Sequence, residues 1–417
     1  MKIHLITNLF HPDELAGASL YTDMARFFLA RGHDVRVTCT FPYYPAWKLQ
    51  PNDEGVKLRE EEFEGIPIRR VSMYVPSEAS GLKRMMSDAS FLWSLIRRAK
   101  FADWTPDVVL SACPMLSQCV AQRFLYQGKN VPRLLIVQDF VVDAALELNI
   151  LNAPGLGWGL RTMERWALRS ATTVSTISPE MLNKLRDCIG KADRKMIFIP
   201  NWIHQSLEDE ICRQWPNKPP RKQSQLMYSG NVGVKQGLPD FVDKFAGLST
   251  NWRLRIQGGG AERDRLVKRT EQLDNVMMAD VSGEDSYVRS LLETSACLIT
   301  QKPGVSAKFL PSKLLPALAT GTPVLAVCEA DSPLGREVAS GGYGAVIHPD
   351  DTDGLASILN AWQCDASLLQ AFELAAKERS DYFSRDRILS IYEQEFVAMT
   401  GVSLPKPAEL ASSSAAA

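Results

Sequence analysis

The 417-residue chain carries 47 Lys and Arg against 48 Asp and Glu, a formal net charge of −1, with 45% hydrophobic and 23% charged residues. That length suits two domains of ordinary size, and the balance is that of a soluble globular protein, not of a chain that coats nucleic acid. No apolar run reaches the roughly 18 residues that span a bilayer, the eight cysteines form no C-x-x-C pair and the five His are too scattered for a zinc motif, which predicts a reduced, cytoplasmic protein without a metal.

Residues 2–7 read as a short strand and lack the apolar core and cleavage site of a signal peptide. The loop that follows, Phe10-His11-Pro12-Asp13-Glu14-Leu15-Ala16-Gly17-Ala18-Ser19, brings small residues to the start of a helix over residues 17–31. Gly17 and Ala18 there allow a ligand to approach backbone, or form an ordinary β–α loop. Gly32-His33-Asp34 turns the chain into a strand over residues 35–40, with His33 as a turn residue, and a strand over residues 68–73 follows. Residues 81–100 read as an amphipathic helix with Lys83, Arg84, Arg97 and Arg98 flanking an apolar centre that holds Phe91 and Trp93. Such a helix suits an anionic membrane surface, and packing on the core with solvated ends is the alternative. Further strands are expected over residues 108–111, 134–137, 173–177 and 196–199. Gln138 and Asp139 follow the second of these buried strands, where a carboxylate meets sugar hydroxyls or developing positive charge, or else caps a helix.

The polar, Pro-rich residues 217–223 mark a domain linker. A second α/β series follows, with strands over residues 226–229, 254–257, 276–278, 297–300, 324–327 and 344–347. Near-continuous apolar strands between helices predict parallel sheets covered on both faces. Two doubly wound domains facing each other would place a ligand crevice at the carboxyl ends of both sheets. In the second half Gly230-Asn231-Val232-Gly233-Val234-Lys235-Gln236-Gly237 opens a helix, and its glycines and Lys235 suit a diphosphate or simply a Gly-rich turn. It is not a P-loop, and the Gly17 loop is not a dinucleotide fingerprint. Gly258-Gly259-Gly260 lines the same ligand or makes a tight turn. Pro311-Ser312-Lys313 opens a short helix whose N-terminus and Lys313 favour phosphate. Asp351-Thr352-Asp353 looks like the acidic pair of metal-dependent transferases, and helix capping is the role assigned to it. The tail from about Pro405 is low-complexity and expected to be disordered.

Taken together, these residues resemble the retaining GT-B glycosyltransferases of the glycosyltransferase group 1 family (family 4 type), and more narrowly its exopolysaccharide or colanic-acid biosynthesis branch. The carrying motifs are the Gly17 loop, Arg31-Gly32-His33-Asp34-Val35, Val137-Gln138-Asp139, Ile199-Pro200-Asn201-Trp202, Tyr228-Ser229-Gly230-Asn231 with Lys235-Gln236-Gly237-Leu238, Leu310-Pro311-Ser312-Lys313-Leu314 and Gly321-Thr322-Pro323-Val324. The segment from Tyr382 to Glu393 resembles the family's closing helix.

The resemblance implies an α/β GT-B fold: an acceptor-side Rossmann-like domain over residues 1–203, a nucleotide-sugar domain over residues 204–384, a helix over residues 385–402 crossing back onto the first domain, and a tail over residues 403–417. It implies a UDP- or GDP-linked sugar donor, retention of anomeric configuration without a metal or cofactor, and a glycan or polyprenyl-diphosphate-linked acceptor. Asp139 and Gln138 would then be catalytic, and Gly17, Ala18, Gly230, Asn231, Lys235, Gln236, Gly259, Lys308, Pro311, Ser312 and Lys313 would hold the donor. Where the wider family has two glutamates that touch the sugar and the ribose, this chain has Lys308 and Pro316. Two other readings stay open: a catalytically degenerate GT-B scaffold or sugar-nucleotide sensor, and a nucleotide-sugar epimerase.

Overall fold

The computed structural model describes residues 1–13, 16–44, 46–77, 81–113, 115–140, 142, 156–190, 194–280, 283–304 and 310–404. The chain forms two units, one of residues 1–200 with the segment from Leu389 onward, the other of residues 201–388.

The first unit is built on an eight-stranded sheet. Its strands are β1 (Lys2–Ile6), β2 (Asp34–Thr40), β3 (Leu58–Phe63), β4 (Ile66–Val71), β5 (Val108–Cys113), β6 (Arg133–Val137), β7 (Thr173–Thr176) and β8 (Lys195–Phe198), in the order β3-β4-β2-β1-β5-β6-β7-β8. Every pairing is parallel except β3 on β4. Strand β3 is absent from the sequence reading. Its Leu-Arg-Glu-Glu-Glu-Phe sequence reads as a polar loop because it sits at an edge, where Glu60 and Glu61 pair with Arg69 and Arg70 of β4. Charge on an edge strand also blocks further pairing.

The connections are α1 (Ala16–Ala30), α2 (Gly81–Arg98), α3 (Leu116–Phe124), α4 (Leu156–Leu168) and α5 (Pro179–Ile189). The last helix among the described residues, α14 (Arg385–Thr400), belongs to this unit from Leu389 onward. Its Glu393 is buried and accepts from Arg31 (2.9 Å) and His33 (2.8 Å). Glu395 pairs with Thr173 and Lys195, and Phe396 packs 5.2 Å from the Phe28 ring. His33 thus has the structural role expected of it, completed by an acid 360 residues away.

The second unit has a six-stranded parallel sheet of β9 (Gln225–Ser229), β10 (Arg253–Gln257), β11 (Val276–Ala279), β12 (Ala296–Thr300), β13 (Val324–Val327) and β14 (Gly344–Ile347), in the order β11-β10-β9-β12-β13-β14. Alternate residues go to opposite faces, and both faces are apolar. Met227, Cys297, Ile299, Val324 and Ala326 pack on one side, against α6 (Gln205–Gln214), α9 (Glu284–Glu293), α10 (Leu314–Ala319) and α11 (Pro333–Gly341). Leu226, Tyr228, Leu254, Ile256, Leu298 and Leu325 pack on the other, against α7 (Leu238–Ala246), α8 (Arg263–Thr270) and α12 (Thr352–Cys364). Helix α13 (Ala366–Ser380) closes the unit. Asp351 caps α12 by accepting from the Gly354 amide at 2.8 Å, the role assigned to it from sequence.

The linker expected over residues 217–223 is corrected. These residues lie inside the second unit. Arg221 donates to the carbonyls of Leu291, Thr294 and Gly321 and pairs with Glu373. A Pro-rich polar stretch was read as a connector, whereas its arginine fastens three elements of one core. The expected tail from residue 405 lies outside the described residues.

Candidate active site

The second unit brings together three segments that are distant in sequence. Strand β9 ends at Ser229, and the chain turns at Gly230, whose φ of +114° disfavours a side chain. The Gly230 amide donates to the Gln257 carbonyl (2.9 Å) and the Val232 amide to the Gly259 carbonyl (2.8 Å). The loops after the neighbouring parallel strands β9 and β10 are therefore laced to each other at the carboxyl ends of the strands. A Cβ on Gly258 would stand 1.9 Å from the Gly230 carbonyl oxygen, and one on Gly260 2.5 Å from that of Val232. Gly259 differs: a Cβ there meets nothing within 4 Å.

The pair gives a direct test. Gly258→Ala is expected to destabilise the protein by about 3 kcal/mol, the scale of a forced overlap. Gly259→Ala is expected to leave stability within about 0.5 kcal/mol, and any loss of nucleotide affinity in it reports approach of a ligand to that backbone. Chemical denaturation checks both, and equal stability of the two variants would contradict this account of the loops.

Lys313 completes the cluster. Its Nζ lies 3.7 Å from the Tyr228 ring centroid, donates to the Tyr228 hydroxyl and stands 3.5 Å from the Asn231 carbonyl. The Tyr228 hydroxyl itself donates to the Asn231 carbonyl at 2.6 Å. No carboxylate pairs with Lys313 among the described residues, and burial lowers its pKa to about 8. A buried cation that no carboxylate neutralises, held beside backbone loops, is poised to gain from an anion. Cys297, buried near it, has its thiol pushed up to about 12 by burial and stays neutral.

The sequence placed Lys313 in the first turn of a helix that opens at Ser312. In the structure α10 begins at Leu314 and Lys313 is its N-cap residue. The Leu314 and Leu315 amides bond the carbonyls of Pro311 and Ser312, so the turn is already closed when the helix begins. Pro316 lies within α10 and its carbonyl accepts from Thr320. Ser312 is exposed and Pro311 half-buried.

Lys235 and Gln236 form a one-turn 3-10 helix after the Gly230 loop. The Gln236 side chain accepts from the Gly233 amide at 3.1 Å and so shapes the loop from within. Lys235 is exposed, and among the described residues its ammonium has no bonded partner. Its carbonyl accepts from Lys302, whose own ammonium reaches Asp240 at 3.6 Å. Asn231 is exposed beside it. Lys308 lies outside the described residues.

Tyr228 and Lys302 were not among the sequence-derived candidates. Tyr228 read as one more apolar strand residue, and only the sheet order reveals that Lys313 rests on it.

In the first unit the candidate residues follow the carboxyl ends of strands. The chain runs one way from β1 to β2 and the other way to β5, so β1 and β5 flank a topological switch point. Gly17 lies in the first turn of α1, and a Cβ there would make only ordinary contacts with Tyr21 and Leu9. Ala18 is fully buried among Ile6, Leu9 and Phe91. The side chain fills the core, which leaves the backbone approach expected of it as its one route to a ligand. A buried polar group the sequence did not single out fixes the preceding loop. Asp13 accepts from the Tyr43 (3.2 Å) and Tyr44 (3.0 Å) amides, and Arg70 donates to the carbonyls of His11 (2.6 Å) and Thr40 (3.0 Å). Burial raises the Asp13 pKa.

Gln138 and Asp139 directly follow β6. Asp139 is exposed, and its carboxylate accepts from the Phe140 amide at 2.8 Å. Gln138 is half-buried.

Helix α2 carries two apolar stripes, and the sequence reading chose one member from each. Phe91 is fully buried with Leu95 and Ala99 and faces the sheet, so it is no surface residue. Leu82, Met86, Trp93 and Ile96 face outward, Trp93 being 58% exposed with Arg97 stacked 4.3 Å over its ring. Arg84 and Arg97 are exposed, Lys83 and Arg98 half-buried. Among the described residues no helix is long and apolar enough to cross a membrane.

Sequence models of two families match the chain, the "Glycosyl transferase 4-like domain" over residues 17–202 and "Glycosyl transferases group 1" over residues 213–379. The chain is similar to the putative colanic acid biosynthesis glycosyl transferase WcaI of Escherichia coli (strain K12), at 30% identity over 399 residues that cover 91% of this chain and 96% of that one. Among solved structures it is similar to sucrose-phosphate synthase from Thermosynechococcus elongatus (TM-score 0.69, 17% identity, 95% and 100% of the two chains). It is likewise similar to WaaG, a glycosyltransferase involved in lipopolysaccharide biosynthesis (TM-score 0.63, 16% identity, 96% and 100%). A third similar structure is Anabaena HepE in complex with UDP (TM-score 0.64, 13% identity, 95% and 100%).

Proposed function

The chain belongs to the group 1 glycosyltransferases and has their GT-B fold, and from that premise we propose that it moves a sugar from a UDP- or GDP-linked donor to a glycan or polyprenyl-diphosphate-linked acceptor, with retention of configuration and without a metal. The observation that carries the donor assignment is the meeting of the Gly230 loop, the Gly258–Gly260 backbone and the Lys313 ammonium in one unit. That cluster offers a cation and the unobstructed Gly259 backbone to a diphosphate, and charge builds on the diphosphate as the glycosidic bond breaks. In the proposed step the acceptor oxygen bonds the anomeric carbon on the face the diphosphate leaves, and the leaving phosphate oxygen takes the acceptor proton. Asp139 steadies the positive charge that develops on the sugar, and the Gln138 backbone faces it. Lys235 and Asn231 extend the diphosphate cradle. Similarity to a putative colanic acid transferase supports a place in bacterial exopolysaccharide or glycolipid assembly.

Calorimetry with UDP and GDP, each with and without EDTA, tests the donor part. One nucleotide is expected to bind with the same affinity in both conditions. Binding of neither, or binding abolished by EDTA, would overturn the assignment. Proton NMR of the product is expected to show the donor's anomeric configuration preserved.

We further infer that the chain works at the cytoplasmic face of a membrane, through the outward stripe of α2. Arginines alternate there with exposed Trp93, Met86 and Leu82, the composition that settles into an anionic headgroup layer. Trp93→Ala with Leu82→Ser is expected to reduce flotation with phosphatidylglycerol vesicles at low salt by at least fivefold. Equal flotation of the double variant would return the stripe to an ordinary surface.

A further inference from the structure

At the opposite end of the first sheet lies an open cavity of about 660 Å³ that the catalytic reading does not use. It opens at the amino ends of β6, β7 and β8, where Arg133, Thr172 and Arg194 stand in its wall. Gln138 and Asp139 leave the other end of β6, about 17 Å away at roughly 3.3 Å per residue over the five residues of that strand. Four cationic side chains line the cavity: Arg123 from the end of α3, Lys129, Arg133 and Arg194. Among the described residues its wall contains no carboxylate.

The arginines are held in distinct ways. Arg133 is half-buried, with its Nε on the Ser170 carbonyl at 3.1 Å and its amide on the Thr172 hydroxyl. Its pKa is lowered, first by burial and then by repulsion from Arg123 and Arg194, so the three guanidinium groups feel one another. Arg123 and Arg194 are exposed, and among the described residues their guanidinium groups have no bonded partner. Lys129 donates to the Thr105 hydroxyl at 2.6 Å. A smaller cavity of about 450 Å³, which Asp103 also lines, adjoins it between Lys129 and Lys100. Like charges gathered without a counter-charge raise the energy of the empty fold, and an anion relieves that cost. Guanidinium forks match phosphate oxygens two at a time.

We propose that this cavity is a phosphate-binding site, separate from the transferase centre, in which Arg123, Arg133, Arg194 and Lys129 hold a phosphate- or diphosphate-bearing anion. Two sources supply that chemistry, a soluble phosphate compound and a phospholipid headgroup. Phe124, 41% exposed beside Arg123 and 5.9 Å from the Trp166 ring, gives apolar footing next to the cations for the second source.

The test uses the full chain and the double variant Arg123→Gln/Arg194→Gln. Both side chains are exposed and unbonded and their removal relieves like-charge repulsion on Arg133, so the melting temperature is expected to hold or rise slightly. In calorimetry with inorganic pyrophosphate the double variant is expected to lose at least tenfold in affinity at one salt-sensitive site, while UDP and GDP keep their wild-type affinity at the donor site. The Lys313→Met variant is expected to retain that pyrophosphate site, which separates failure of this inference from failure of the donor reading. Flotation with phosphatidylglycerol vesicles identifies the source: a parallel loss in the double variant names a headgroup, and unchanged flotation with lost pyrophosphate names a soluble anion. Pyrophosphate and vesicle binding both equal to wild type in the double variant would overturn the proposal.

Discussion

Replacing Lys313 by methionine is expected to make the unliganded protein more stable and to cost it its diphosphate affinity. The two effects share one cause. The folded environment lowers the Lys313 pKa to about 8, against an unfolded value near 10.4. A depressed lysine pKa means that folding disfavours the charged form. The resulting cost is fully present below pH 8 and fades as pH rises from 8 towards 10.4. Methionine keeps the length of the stem without the charge, so the variant is expected to gain about 1–3 kcal/mol at pH 7. That amounts to several degrees in melting temperature. The pH dependence is a second signature, because wild-type stability should rise relative to the variant's between pH 8 and 10.

Binding moves the opposite way. A diphosphate restores the charge that folding disfavours, and losing that contact is expected to weaken nucleoside-diphosphate affinity by about 10- to 100-fold, the range of a charged hydrogen bond. In the wild type the affinity should also decline as pH rises above about 8, because protonation of Lys313 must then accompany binding. The variant should lack that decline. A variant that is less stable and binds as tightly as wild type would remove Lys313 from the donor site.

The parallel sheets were legible because both of their faces are apolar, which writes strands as short runs of Val, Ile and Leu between helices. Strand β3 escaped because four of its six residues are charged and its partner charges lie on β4. The Gly230 and Gly258–Gly260 loops were legible because the positive φ at Gly230 and the close backbone contacts at Gly258 and Gly260 favour glycine, and that requirement marks the sequence. Their junction with Lys313 was not. It depends on β9 sitting between β10 and β12, a fact of sheet order with no local trace. The two stripes of α2 show another limit. Phe91 and Leu95 repeat at helical spacing, and so do Leu82, Met86 and Trp93. Only the sheet beneath decides which stripe is core. The charge cluster at Arg123, Arg133 and Arg194 was equally invisible, because Arg123 ends α3, Arg133 opens β6 and Arg194 precedes β8, and only the parallel topology gathers them at the amino ends of these strands.

Asp139→Asn is expected to reduce turnover by about 10²- to 10³-fold while leaving donor affinity within about threefold of wild type. The magnitude is that of removing one preorganised electrostatic contact from a charged transition state. The substitution is chosen to oppose the two roles that the position admits. Asparagine preserves the size of the side chain and the oxygen that accepts from the Phe140 amide at 2.8 Å. It is also as good a capping residue as aspartate. If the residue only shapes the turn after β6, the variant should therefore fold and turn over as wild type. If the carboxylate stabilises positive charge on the departing sugar, removing the charge lowers kcat and kcat/KM together and leaves ground-state donor binding nearly unchanged. Donor binding is a fair control because the diphosphate contacts proposed above come from the second unit, whereas Asp139 belongs to the first. Stopped and steady-state assays with the donor identified by calorimetry measure the split. A wild-type kcat in Asp139→Asn would assign the residue to the turn and leave charge stabilisation to the leaving diphosphate alone.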